Sequence, residues 1–236
     1  MIVIETGTPG DEQAMIERRL GSGVAKPSLA CWKYDAAGFL LGRGQRPAPE
    51  LLARAADARI EVAVRASGGG AVIAGPWMPS LTLLLPPDHE LAQASLPASY
   101  RVVGAACQRA LVRLGVSAEI AAGPPAGSST DAELGWVCFA GISHGELTGA
   151  CGRKLLGIAQ VRRRTGIAIC VGVLLERPDW ESLLDVWLGC RQTDLVARLE
   201  NLTVTCGQLA GRGPAPTTAG VFDAMHDEFR ELGLAA

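Results

Sequence analysis

The chain has 236 residues, 48% of them apolar and 19% charged, with a formal net charge of -2. This composition excludes disordered and fibrous classes and allows one sizeable core without metal or disulfide support. It marks no polyanionic partner either: the one basic run, Arg162-Arg163-Arg164, is short and meets a Thr-Gly turn, so no nucleic-acid partner is expected.

The N-terminal stretch MIVIETGTPGDEQ has neither a charged leader nor the apolar core of a signal peptide, and no segment reaches the ~18 apolar residues of a membrane span. A cytoplasmic protein with no membrane partner is expected. Seven cysteines, at positions 31, 107, 138, 151, 170, 190 and 206, are odd in number and form no C-x-x-C pair. That pattern points to reduced thiols and away from a disulfide framework or a metal site.

Thr8 and Asp11 stand where a capping pair would sit, ahead of Ala14, Met15 and Leu20, so residues 10 to 21 are predicted to be helical, with Gly21 as the stop. The short β-branched runs at 60–65 and 80–85 read as neighbouring strands joined by a Gly-rich functional loop. From Tyr100 to Leu114 apolar residues keep helical spacing, and Gly115 follows the C-cap. GPPAGSST, 123–130, reads as a loop within the domain. The runs GELTG, RKLLGIAQVRRR and GIAICVGVLLE predict an antiparallel meander. Helices follow, one capped by Asp179, one over 194–200, and a last one capped by Thr217 or Thr218 and ended by Gly233. The irregular order of strands and helices gives an α+β class in a single domain over 1–236, with no separate C-terminal accessory domain expected.

Three features carry candidate chemistry. VRASGGGAV, Val64 to Val72, places three glycines after a strand, which lets backbone N–H groups close on a phosphate or carboxylate; the same stretch would also serve as a flexible turn. It is neither a Walker A loop nor a dinucleotide fingerprint, since the terminal Lys-Ser/Thr is missing and a strand follows. Lys154, one of three lysines among 22 basic residues, lies in the strand RKLLGIAQ, where a long cation is disfavoured unless it reaches a polar cavity or an edge. Cys138 in VCFAG would be a nucleophile if Lys154 or His144 lowered its pKa, and otherwise a small buried hydrophobe.

RASGGGAV together with GRKLLGIAQVRRRTG resembles the paired signature of the biotin/lipoate protein ligase superfamily, lipoate branch. DEQAMIERRL, GRGQRP and SYRVVGAACQRALVRLGV extend the likeness over most of residues 8 to 190. VCFAGISHGEL before the lysine strand is most similar to the octanoyltransferases that resemble lipoate ligases, whose nucleophile is matched by Cys138.

The resemblance implies a mixed, largely antiparallel sheet flanked by helices, with an acyl tunnel under the Gly-rich loop. It implies catalytic roles for Cys138, as the thioester-forming nucleophile, and Lys154, at the carbonyl or phosphate. Substrate contacts would come from Arg65, Ser67, Gly68, Gly69, Gly70, Ala71, His144 and Gly157. The donor would be an acyl carrier protein or free lipoate, the acceptor a lysine of a lipoyl carrier domain. No cofactor is implied for acyl transfer, whereas the alternative, an ATP-dependent lipoate protein ligase, needs ATP and Mg. A further alternative is a non-catalytic acyl-binding or carrier-binding module. Where the family has a histidine and then an asparagine after SGGGAV, this chain has Ala74 and Ser80.

Overall fold

The computed structural model describes residues 4–124, 133–211 and 213–235. The elements in chain order are β1 (Ile4–Gly7), α1 (Pro9–Ser22), β2 (Ser28–Tyr34), β3 (Gly38–Leu41), α2 (Pro49–Asp57), β4 (Glu61–Val64), β5 (Val72–Ala74), β6 (Ser80–Leu85), α3 (Glu90–Gln93) and α4 (Leu96–Arg113). They continue with β7 (Glu119–Ile120), a 3-10 turn (Cys138–Ala140), β8 (Leu147–Thr148), β9 (Lys154–Arg163), β10 (Gly166–Val173), α5 (Trp180–Leu188), α6 (Thr193–Leu202), α7 (Cys206–Leu209) and α8 (Thr218–Glu231).

Seven strands form the main sheet in the order β1-β2-β6-β10-β9-β8-β7, antiparallel except where β1 joins β2. Three form a small sheet, β4-β3-β5. The predicted meander is present as β8, β9 and β10, which pair antiparallel in sequence order.

The strands at 60–65 and 80–85 are not neighbours, however. β4 pairs with β3 in the small sheet and β6 lies between β2 and β10 in the large one. The reason is that the Gly-rich segment leads into a strand of its own, β5, which turns back onto β3 before the chain crosses to β6. Helix α1 starts as predicted, with the Thr8 and Asp11 capping box formed, but passes through Gly21 and stops at Gly23, whose φ of 85° side chains disfavour. Of the loop at 123–130 only Gly123 and Pro124 lie among the described residues.

Side-chain alternation assigns the two faces of the large sheet. Leu81, Leu83 and Leu85 of β6 and Ile167, Ile169, Val171 and Val173 of β10 pack with α4 and α8 in one core. The intervening residues, Ser80 and Thr82 of β6 with Cys170 and Gly172 of β10, face the other way, towards α1 and the small sheet. A second core forms there from Phe39, Leu41 and Ile73 with Leu51 of α2, Trp180 and Leu184 of α5 and Leu199 of α6.

Two residues of the basic run hold neighbouring segments. Arg162 donates to the Ala92 and Ala94 carbonyls at 3.0 and 2.8 Å, and Arg163 meets Glu17 at 3.2 Å. Among the described residues no helix is long and apolar enough to cross a membrane.

Candidate active site

The Gly-rich loop and the Cys138 segment are folded onto each other. Ala71 N donates to the Trp136 carbonyl at 2.6 Å, and Cys138 N donates to the Ala71 carbonyl at 2.8 Å. A Cβ on Gly70 would come within 2.6 Å of that Trp136 oxygen and 3.0 Å of Cys138 N. Close approach at Gly70 is thus to the protein's own backbone, and Gly69 adds a φ of 94° that L side chains rarely adopt.

Arg65 stands behind this loop, 5% exposed, donating to Ser67 Oγ and to the Gly70 carbonyl, both at 2.9 Å. Its Nε has no hydrogen-bond partner, and no carboxylate pairs with it among the described residues. Leaving a guanidinium buried without a counter-ion costs on the order of several kcal/mol.

Lys154 opens strand β9 and is 1% exposed. Its ammonium donates to Glu146 Oε2 at 2.8 Å, to the Cys138 carbonyl at 3.1 Å and to the Gly141 carbonyl at 2.9 Å, and it lies 5.0 Å from the centre of the Phe139 ring. All three of its protons are used. Glu146 is equally engaged, accepting from Ser143 N at 2.7 Å and, through Oε1, from Ile158 N at 3.1 Å. The structure therefore brings Lys154 to Cys138 through the backbone: the cation clamps both ends of the turn that presents the thiol. The sequence placed Lys154 at the site but left Glu146 without a role.

Two cavities meet at this turn. The first, about 520 Å³ with its mouth, is a slot between the large sheet and the small one. Small residues make the room, since Gly157, Ala159, Cys170 and Gly172 line the sheet face where larger side chains would fill the space. Ala74, which departs from the family pattern, is on its wall. The second, about 970 Å³, is bordered by Gly68, Gly69, Tyr100, Ser143 and His144. Cys138, Arg65 and Ser67 line both, and Lys154 lines neither.

Of the other sequence candidates, Gly157 lies on the slot beside Phe139, and His144 is exposed on the second cavity, its ring lying across Gly123. Ala71 is buried in the loop. Tyr100 was missed; burial raises its phenol well above the ordinary range, with Glu146 adding to the effect, so it stays a neutral donor on the cavity wall. Among the described residues no group of three His, Cys, Asp or Glu side chains could hold a metal ion.

Residues 12–229 match the model of the lipoyl protein ligase A/B catalytic domain. The chain belongs to that family. It is 27% identical over 228 residues to the octanoyltransferase LipM of Exiguobacterium sibiricum, a match that covers 90% of this chain and 80% of the relative. A bi-partite lipoate protein ligase of an archaeal lipoylation system, described together with its E2 lipoyl domain from Thermoplasma acidophilum, superposes with a TM-score of 0.71 at 17% identity, covering 98% of this chain and 81% of that one. A lipoate-protein ligase A bound with ATP gives a TM-score of 0.68 at 18% identity, with 98% and 83% covered. These two likenesses show the lipoate ligase fold, and the slot and the Cys138 turn lie inside the matched residues.

Proposed function

We propose that this family member is an acyltransferase that moves an octanoyl or lipoyl group from a carrier thioester to a lysine of a lipoyl carrier domain, with Cys138 as the relay. The observation that carries the reading is the position of Cys138 at the junction of two cavities, one slot-like and one open, with both ends of its turn clamped by a buried lysine. The LipM relative supports the reaction class.

In the first half-reaction the Cys138 thiol gives its proton to a base, for which His144 on the shared cavity is the candidate, and Sγ attacks the donor's carbonyl carbon. The tetrahedral oxyanion collapses and the donor thiolate leaves, taking a proton. In the second, the acceptor's neutral ε-amine attacks the Cys138 thioester, the Cys138 thiolate departs, and the nitrogen loses a proton to give the amide. Arg65, which lines both cavities, is the candidate to serve the oxyanion. Lys154 is a positioning residue in this scheme, fixing the turn through two carbonyls. The slot takes the acyl chain and the open cavity admits the carrier arms.

The ATP-dependent ligase is the second reading, favoured by the size of the open cavity and by the cationic, Gly-rich wall it shares with Arg65, which would suit a phosphate. One experiment separates them. Mixed with an octanoyl-carrier thioester and no acceptor, the wild type is expected to gain one octanoyl group that hydroxylamine removes, and Cys138→Ser to form no thioester. Burial holds the Cys31, Cys170 and Cys206 thiols up at about 12, so they act as silent controls. At exposed Cys151 burial raises the pKa but hydrogen bonds from Arg153 outweigh it, for a net lowering. An adduct on Cys151 instead of Cys138 would move the nucleophile, and transfer of free lipoate only with ATP would establish the ligase.

A further inference from the structure

Tyr100 carries a hydroxyl that the fold does not use. The residue lies in the second turn of α4 and is 9% exposed, its ring packed into the core between that helix and the large sheet. Its phenol makes no hydrogen bond to another described residue, yet the oxygen is not sealed off: it opens onto the second cavity, whose wall Tyr100 shares with Arg65, Ser67, Cys138 and His144. A phenylalanine would fill the same core, so the hydroxyl adds no bond to folding.

Two close backbone approaches fix where this hydroxyl sits. A Cβ on Gly104 would fall 1.9 Å from the Gly145 carbonyl oxygen, and one on Gly145 would fall 2.6 Å from the Tyr100 carbonyl carbon, so α4 lies directly against the turn that carries Glu146. Glu146 in turn holds Lys154 at 2.8 Å, and Lys154 holds the Cys138 carbonyl at 3.1 Å. Beyond burial, the groups that act on the phenol's charge are Glu146, Cys170, Arg65 and Cys138, which sets it among the residues where the slot and the open cavity meet. A donor is wanted at that place. When Sγ attacks a thioester, the carbonyl oxygen gains a full charge and needs hydrogen bonds that the thioester did not. The Lys154 ammonium has none to spare, since Glu146 and the Cys138 and Gly141 carbonyls take all three protons. Arg65 brings positive charge, but its Nη1 and Nη2 already donate to Ser67 Oγ and the Gly70 carbonyl. The Tyr100 O–H is both unused and open to the cavity.

We propose that Tyr100 is a catalytic residue whose phenol O–H donates to the oxyanion formed on the acyl carbonyl in both halves of the transfer. The proposal rests on the relay through Cys138. In the first half the Sγ–carbon bond forms, the carbonyl pair moves onto oxygen, and it returns as the bond to the donor sulfur breaks. In the second half the acceptor nitrogen attacks, the pair moves onto the same oxygen, and it returns as the Cys138 thiolate leaves. Tyrosine keeps its proton throughout. Tyr100→Phe removes the oxygen alone and costs no protein hydrogen bond, so the variant should melt with the wild type. Acylation of Cys138 by an octanoyl-carrier thioester, and transfer from the isolated Cys138 thioester to a lipoyl carrier domain, are each expected to slow about 100-fold at saturating partner in single-turnover measurements. Alkylation of Cys138 by iodoacetamide, read on its peptide by mass spectrometry, is displacement at a saturated carbon with no oxyanion, and its rate should not change. Unslowed acylation in Tyr100→Phe, a loss confined to the dependence on partner concentration, slowing in one half only, or an equal slowing of alkylation would each overturn the proposal. A wild type that forms no Cys138 thioester sinks the relay and the proposal with it, whereas normal acylation of both wild type and Tyr100→Phe sinks the phenol alone.

Discussion

The buried pair Lys154–Glu146 should behave as a single unit, and its removal can be sized from its contacts. At about 4 Å and an effective dielectric of about 20, two unit charges attract by about 4 kcal/mol, and removing one partner of a buried pair costs about 3–5 kcal/mol because the other is left charged and unmet. In Lys154→Met the carboxylate loses its cation and the Cys138 and Gly141 carbonyls lose their donor. In Glu146→Gln the ammonium loses its counter-ion. The amide must also turn a donor towards either the Ile158 N–H or the Ser143 N–H, since the native carboxylate accepts from both. At about 2–4 °C per kcal/mol for a chain of this size, each single variant should melt about 6–20 °C below the wild type. The double variant leaves no isolated charge, so it should be less costly than the sum by up to about 3 kcal/mol. Urea denaturation of the four proteins closes the cycle, and Cys138 acylation is followed in parallel. Acylation should fall steeply in Lys154→Met, and also in Lys154→Arg, whose planar fork cannot aim at one carboxylate and two carbonyls around a point. Additive costs within about 0.5 kcal/mol, or full acylation by Lys154→Met, would refute the clamp.

Gly70→Ala should loosen the Cys138 segment, since its Cβ would press on the Trp136 oxygen and Cys138 N, at a cost of about 1–3 kcal/mol and with loss of acylation. Gly68→Ala, which meets nothing within 4 Å, should be tolerated; equal melting and acylation in the two variants would show that the close approach does not matter. The Glu12 carboxyl supplies a pH prediction. Its folded pKa is raised above the ordinary 4.5, so between those two values the folded state holds more protons than the unfolded one. Its contribution is complete below 4.5 and is lost as pH rises through the folded value. Urea stability of the wild type should thus decline relative to Glu12→Gln as pH rises from 5 towards 8, and parallel profiles would contradict the raised pKa.

Much of this site was legible because local signals and tertiary need coincide in it. Lys154 stood out as a cation in an apolar strand, and the structure finds it buried at the start of β9, where only a clamp or a ligand would tolerate it. Its partner was not legible. Glu146 reaches the lysine across the β8–β9 pairing, at a place where the register is irregular, so no fixed sequence spacing announces it. The strand at 60–65 was identified by its composition, yet its neighbour was not. β-branched runs specify that a strand forms, whereas the partner depends on where the intervening chain turns, and here β5 claims β3 first.

Asp11 and Glu12 show most clearly where sequence reading stops. Both are acids in the first turn of α1, and both suit a helix N-terminus on charge alone. At 3.6 residues per turn they point about 100° apart. Asp11 therefore closes the capping box with Thr8 in solvent, where its own hydrogen bonds to Thr8 lower its pKa, while Glu12 turns inward onto Tyr34, Ser80 and Thr82 and its pKa rises. Opposite shifts in adjacent carboxylates follow from helix geometry and from what β2 and β6 place beneath it. Ser80, which departs from the family pattern, is one of those residues. Its hydroxyl donates to Glu12, so at this position the departure from the family pattern is part of the buried tie between α1 and β6.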